Sequence, residues 1–236
     1  MSATAAASSS GDTTLVSQTL PEKIAVALAE QVIDGRYAPG ERLVEARLTK
    51  HFKVSHGPVR EALRILQNAG LVTIHPYRGA QVTELSVQEV TEIYQVRAAL
   101  VGLRARWIAE DPGREALLAT IAASIAELEA LAKNERRAAE YVVAARRLNR
   151  LLTESVSNRW LRTMLQSLTL QTARYTRLAL AAAERRRESA RLWRGLLDAL
   201  VAGDGEKAQA IASRISLATR DAAIRYLRET GAAAPH

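Results

Sequence analysis

Arg60 and Arg64 stand four residues apart, and the stretch before them reads Ser55-His56-Gly57-Pro58. Arg78 lies further on beside Gly79, after Tyr77. Guanidinium groups one helical turn apart can form bidentate bonds to guanine or pair with phosphate. A helix N-terminus offers free N–H groups that suit the same anion. The chemistry on offer is therefore recognition of a polyanion. Chemistry of the catalytic kind is poorly supplied: the chain has no cysteine, and its only histidines are His51, His56, His75 and His236.

Positioning those arginines takes a helix with one apolar and one cationic face. From Ser55 as N-cap, with Pro58 in the first turn, Val59, Ala62, Leu63 and Leu66 fall on one side and His56, Arg60, Arg64 and Gln67 on the other. Gly70 stops this helix. "LVTIH" and "GAQVT" are β-prone runs joined by "PYRG", a hairpin or wing. Upstream, a helix starts at Leu20–Pro21 and ends near Asp34–Gly35, "YAPGERL" is a turn, and a short helix fits Glu45 to Phe52. Three helices and a hairpin in this order outline a winged helix-turn-helix.

From Ser86 the sequence becomes rich in Ala, Leu, Arg and Glu, and Ser86 with Glu89 forms a capping-box pattern. Breaks fall at Asp111–Pro112–Gly113, near Asn134, at Ser157–Asn158, near Ala183–Glu184 and at Gly203–Asp204–Gly205. About six helices fit between them, a bundle with no β pattern. The expected fold class is mainly α, with residues 1–19 a disordered tail, 20–83 the winged domain and 84–231 the helical domain. Aromatic residues make up only 4% of the chain, so the cores must rest on Leu, Ile, Val and Ala. The net charge of +8 suits a polyanionic partner such as nucleic acid, or simply a soluble basic protein. No run reaches the roughly 18 apolar residues needed to cross a bilayer, and the first residues lack a signal-peptide pattern. A cytoplasmic protein without membrane contact is expected.

The stretch "LVEARLTKHFKVSHGPVREALRILQNAGLVTIHPYRGAQV" resembles the N-terminal domain of the GntR superfamily of bacterial transcription regulators. Leu43, Glu45, Leu48, Val54, Ser55, Pro58, Val59, Arg60, Glu61, Ala62, Leu63, Leu66, Gly70, Leu71 and Val72 carry the match. "IYQVRAAL", "SVSN" and "LLDALVAGD" resemble the FCD-type ligand domain of the FadR subfamily. The resemblance implies a homodimeric regulator, a repressor, that reads a pseudo-palindrome in double-stranded DNA. The implied DNA-contacting set is Arg47, Ser55, His56, Gly57, Arg60, Arg64, Tyr77, Arg78 and Gly79. The family usually has Arg and Thr where this chain has His56 and Gly57. Whether that departure changes operator preference or only weakens binding stays open.

The FCD resemblance also implies a divalent metal held by one Asp and three His. The corresponding positions here are Ala145, Asn149, Trp193 and Ile215. No histidine lies between Pro76 and Pro235, so a three-imidazole site is impossible, and neither a metal nor any other cofactor is expected. Trp193 would fill the metal's cavity. The remaining effector candidates are Arg97, Arg146, Asn149 and Arg174, where an inward guanidinium could clamp a carboxylate and a solvated or salt-bridging one would not. The expected effector is a small organic molecule, a carboxylate or an apolar ligand. "ERRRES" at 184–189 reads as a solvated helix start, and Trp107 and Trp160 as core or dimer-seam residues. An effector-free architectural DNA-binding protein is a competing reading. An enzyme with a cleft in the helical domain is another, but that domain offers no catalytic constellation and no phosphate loop, so enzymatic activity is not expected.

Overall fold

The computed structural model describes residues 18–230. The tail expected over 1–19 lies outside the described residues except for Gln18 and Thr19. Thr19 is the N-cap of helix α1 (Leu20–Ile33): its Oγ1 accepts from the Glu22 amide, and the Glu22 carboxylate accepts from the Thr19 amide. This capping box satisfies two amides that the first turn leaves without helical partners.

A two-residue strand β1 (Arg42–Leu43) follows, then α2 (Glu45–Phe52), α3 (His56–Asn68), β2 (Val72–His75) and β3 (Gly79–Val82). The three strands are antiparallel in the order β1-β3-β2. Strand β1 corrects the sequence reading, which made "YAPGERL" a turn throughout. Two residues carry no periodicity, and Arg42–Leu43 is a strand only because β3 arrives from far along the chain to pair Gln81 with Arg42 and Ala80 with Leu43. Ile24, Leu28 and Val32 of α1, Leu48 of α2, Val59, Leu63 and Leu66 of α3 and Val72, Ala80 and Val82 of the sheet form one buried core. α2 closes on Lys53 in the left-handed region (φ 55°) and α3 on Gly70 (φ 76°).

The rest is helical: α4 (Val87–Glu110), α5 (Glu115–Ala132), a 3-10 turn (Glu135–Arg137), α6 (Ala138–Glu154), α7 (Arg159–Ala179), α8 (Ala183–Ala202) and α9 (Gly205–Thr230). These are the six helices expected, split at the expected breaks. Ser86 caps α4 in a capping box with Glu89, and the Asn158 side chain caps α7. Val101, Ile108, Ile125, Leu128, Leu148, Leu152, Leu165, Trp193, Leu196 and Leu200 belong to the main bundle core. The chain is mainly α, a winged helix-turn-helix followed by a helical bundle.

Helix α7 joins the two parts. Its Leu170 packs against the winged-helix core. The Tyr175 hydroxyl accepts from the Leu85 amide at 3.1 Å, and Arg174 donates to the Tyr37 carbonyl at 3.3 Å.

α4 and α9 run against each other at the centre of the bundle, and Gly102 sets their spacing. A Cβ there would stand 2.4 Å from the Ser213 hydroxyl and 3.2 Å from the Gln209 carbonyl. Ser213 is already committed, donating to the Ala98 carbonyl at 2.9 Å. Gly102→Ala should therefore destabilise the protein although alanine is the better helix former by about 1 kcal/mol. Overpacking costs about 1–3 kcal/mol. The check is the urea midpoint, which should fall; a rise would show that the two helices can separate freely.

Candidate functional site

The exposed face of α3 carries His56, Gly57, Arg60 and Arg64. Ser55 sits in the N-cap position with extended backbone, yet its side chain makes no capping hydrogen bond. Ser55 is exposed, and its hydroxyl is not committed to the helix. Arg60 donates from Nε to Glu45 Oε2 at 2.8 Å, and His56 Nδ1 lies 3.6 Å from the same oxygen. Engaging Nε fixes the guanidinium plane and leaves both terminal nitrogens for a bidentate contact. Glu45 thus orients Arg60 within an exposed ion pair. Arg64 lies 3.7 Å from Glu61 in an exposed pair of little energetic weight.

Arg47 is exposed on α2. At the wing, Tyr77 is fully exposed in the left-handed region (φ 61°), and the Arg78 amide donates to the His75 carbonyl at 3.2 Å to close the turn. Gly79 has φ 81°, and a Cβ on it would stand 3.7 Å from the Arg42 guanidinium. Arg42 is thus a wing-side cation that the sequence reading missed, because it missed β1.

Gly57 has a negative φ, and a side chain added there would meet nothing within 4 Å. The fold does not require glycine at this place. The missing side chain matters only to whatever approaches the helix.

In the bundle, Ala145 and Asn149 of α6, Trp193 of α8 and Ile215 of α9 line one small cavity of about 30 Å³. These are the four positions that correspond to the FCD metal ligands. The residues present do not fit a metal. Ala145 and Ile215 offer no donor atom, and the Trp193 indole has only an N–H. The Asn149 Oδ1 faces the Arg104 guanidinium at 3.4 Å. The cavity is also lined by Arg97 and Arg104, both buried, which repel any cation. Among the described residues no three of His, Cys, Asp and Glu cluster.

Arg104 was missed from the sequence, although it occupies the inward stripe of α4 between Val101 and Ile108. It donates to the Thr153 hydroxyl at 2.8 Å and the Asn149 carbonyl at 3.2 Å. Burial, reinforced by the charge of Arg97, pushes it down to about 9. Arg97 donates to the Ser216 hydroxyl at 3.1 Å and is lowered by burial.

The other effector candidates lie elsewhere. Arg146 makes a bidentate pair with Glu30 of α1, at 3.1 and 3.0 Å, on the rim of a cleft of about 450 Å³ between α6 and α7. Arg174 is at the junction with the winged domain, in a separate pocket of about 180 Å³. "ERRRES" is not a solvated start. Arg185 and Arg186 turn inward: Arg185 donates to Thr219 Oγ1 at 3.2 Å, and Arg186 to the carbonyls of Leu180, Ala181 and Glu135 at 3.0, 2.6 and 3.0 Å. A terminal guanidinium can satisfy several loop carbonyls at once, which charge counting does not reveal. Trp107 and Trp160 are exposed, so neither is a core residue of the monomer.

Two outcomes are expected. His56→Arg with Gly57→Thr should leave the melting temperature nearly unchanged and raise affinity for duplex DNA at pH 8, measured by fluorescence anisotropy. Equal affinities would make both positions bystanders. Protein purified without added metal should contain no stoichiometric transition metal by mass spectrometry, and chelator should leave its melting temperature in place. One metal per chain, lost to chelator together with stability, would overturn the reading of the cavity.

Comparison with known proteins agrees with this geometry. The model of bacterial regulatory proteins of the gntR family matches residues 20–82, and the FCD domain model matches residues 92–217, more than half of the chain. The HTH-type transcriptional regulator YdhC of Bacillus subtilis is 30% identical over 139 residues, 59% of this chain and 62% of the relative. BphR of Paraburkholderia xenovorans is 31% identical over 158 residues, 64% of this chain and 63% of the relative. The chain thus spans under two thirds of the length of these curated relatives. Among solved structures, McbR/YncC of E. coli superposes with a TM-score of 0.74 at 22% identity, over 90% of this chain and 99% of that one. This likeness shows the fold. The chain belongs to the GntR family of bacterial transcription regulators, in which a winged helix-turn-helix precedes an FCD domain.

Proposed function

We propose that this chain is a sequence-specific DNA-binding repressor that acts in the cytoplasm as a homodimer on a pseudo-palindromic operator. The observation that carries this reading is the exposed cationic face of α3, with Arg60 aimed by Glu45 and its terminal nitrogens free. Arg47, Arg64 and the wing residues Arg42, Tyr77, Arg78 and Gly79 supply the flanking contacts. Ser55 and the first amides of α3 take a phosphate, and Gly57 brings backbone close to it. The HTH-type transcriptional repressor GlaR of E. coli is 37% identical over 71 residues, which supports the direction of regulation.

A seam for the dimer is offered by α4. Val96, Leu100, Leu103 and Trp107 recur at helical spacing, and Val96 and Trp107 are exposed at 55% and 38%. A stripe of this kind is costly to leave in water. Joined across a dyad, two copies place two recognition helices on two half-sites. The helical domain then supplies both dimer contact and effector site, with Arg97, Asn149 and Trp193 at the inner cavity and Arg146 and Arg174 at the junctions with the winged domain.

The test is selection of a binding site from random duplex, followed by titration at several salt concentrations. Log affinity should fall linearly with log salt, because each neutralised phosphate releases counterion. Arg60→Ala should cost about 1–3 kcal/mol and relax the preference at one base pair. Arg78→Ala should weaken all sequences alike. Trp107→Glu should shift the sedimentation coefficient to that of a monomer. Salt-insensitive binding, or the same uniform loss in both arginine variants, would defeat the assignment.

A further inference from the structure

The pocket of about 180 Å³ at the domain junction is walled by three separate parts of the chain. Pro39 comes from the winged domain, Glu84 and Leu85 from the segment that leads into α4, and the rest from the C-terminal ends of α7 and α9. None of its lining residues is shared with the inner cavity of the bundle. Leu178, Leu227 and the ring of Tyr226 give it an apolar side. Arg174 and Glu84 bring one charge of each sign. Among the described residues these two form no ion pair. Burial lowers the Arg174 guanidinium, and the nearby Glu84 carboxylate works against that lowering. Arg174 donates once, to the Tyr37 carbonyl at 3.3 Å, out of the five N–H groups a guanidinium carries. The Tyr175 hydroxyl accepts from the Leu85 amide at 3.1 Å, which leaves its own proton to give.

We propose that this junction pocket binds an α-amino acid with an apolar side chain, its carboxylate on Arg174, its ammonium on Glu84 and its side chain against Leu178, Tyr226 and Leu227. Simpler ligands are opposed by one wall or the other. A lone carboxylate that reaches Arg174 also meets the charge of Glu84, and an amine that reaches Glu84 meets Arg174. A zwitterion closes the link that the two side chains leave open, and the guanidinium fork matches its two carboxylate oxygens. The size agrees: an apolar cavity of about 150 Å³ takes up benzene, so this pocket has room for a branched or aromatic side chain. A ligand so placed ties Pro39 and the segment at Glu84–Leu85 to α7 and α9, where the winged domain meets the bundle. Any effect on DNA affinity rests on the reading of the chain as a DNA-binding regulator; occupancy of the pocket does not.

The experiment uses the full chain with L-leucine and L-phenylalanine as probes. Glycine, isocaproate and isoamylamine are the controls, lacking in turn the side chain, the ammonium and the carboxylate. At least one of the two amino acids should raise the melting temperature saturably, by about 3–5 °C for each tenfold above the dissociation constant. The controls should not. Arg174→Met should lose the response. Because that variant also loses the bond to Tyr37 and can loosen the junction, Glu84→Gln is the second arm. Glu84 is exposed, so this variant should melt as the parent does without ligand. It should lose the response to the amino acid and gain one to isocaproate, since the repulsion of a lone carboxylate is gone. A parent that responds to neither amino acid, or equally to isocaproate or glycine, overturns the site. So does a Glu84→Gln variant with the parent's ligand preference. DNA affinity measured in the same buffers separates the two readings: a melting response without DNA binding leaves the pocket assigned and removes the regulator, while DNA binding without a melting response does the reverse.

Discussion

Everything in the helical domain is arranged around the close approach of α4 and α9. Gly102 permits it, and the neighbouring hydrogen bonds, Ser213 to the Ala98 carbonyl and Arg97 to the Ser216 hydroxyl, depend on the spacing it sets. Arg97 faces α9 through Ser216, Arg104 faces α6 through Thr153 and Asn149, and both are interior groups. Two cations in a bundle interior cost more than any single hydrophobic contact there returns. The cost is partly met by hydroxyls and carbonyls on α6 and α9, which tie three helices to one polar centre.

The winged domain has the opposite economy. Its core is small and wholly apolar, and its charge lies outside. The constraint there is orientation: an arginine that reads a base must be held still before it meets one, because ordering a long side chain on binding costs free energy. Under the proposed reading, Glu45 does this for Arg60 through Nε at 2.8 Å without consuming the terminal nitrogens. His56, near the same carboxylate oxygen, is drawn into the arrangement without being required by it.

The helices were legible because they announce themselves locally. Ser86 with Glu89, Asn158 and the Gly203–Asp204–Gly205 break each carry a capping or stopping signal within a few residues. Strand β1 was not legible, since Arg42–Leu43 exists only by pairing with β3. The same divide runs through the candidate sites. Arg60 and Arg78 are surface residues whose place follows from one amphipathic helix and one turn. Arg97 and Arg104 are separated by seven positions, and the inward stripe of α4 places both, but the sequence reading singled out only Arg97, through the family resemblance, and passed over Arg104. Arg146 and Arg174 fell at the domain junction because their partners, Glu30 and Tyr37, are more than a hundred residues away. Arg185 and Arg186 resisted for a further reason: their partners are mostly backbone carbonyls, which every sequence has and no pattern reports.

Were an effector to occupy the helical domain, as proposed, magnitudes would limit how it could act on the DNA-reading face. The shortest structural route runs along α6, from Asn149 at the cavity to Arg146, one turn earlier, and on to Glu30 of α1. The Arg146–Glu30 pair is bidentate, but Glu30 is half exposed, with 51% of its side chain in water. An ion pair so placed is worth no more than about 1 kcal/mol. Breaking it would change DNA affinity about fivefold at most, the low end of allosteric coupling. A larger response must draw on α7, where Leu170 is packed into the winged-helix core and the Tyr175 and Arg174 bonds hold the chain on either side of the wing. Coupling of greater size would therefore require α7 to shift against the winged domain, loosening its apolar contact and its hydrogen bonds to Leu85 and Tyr37.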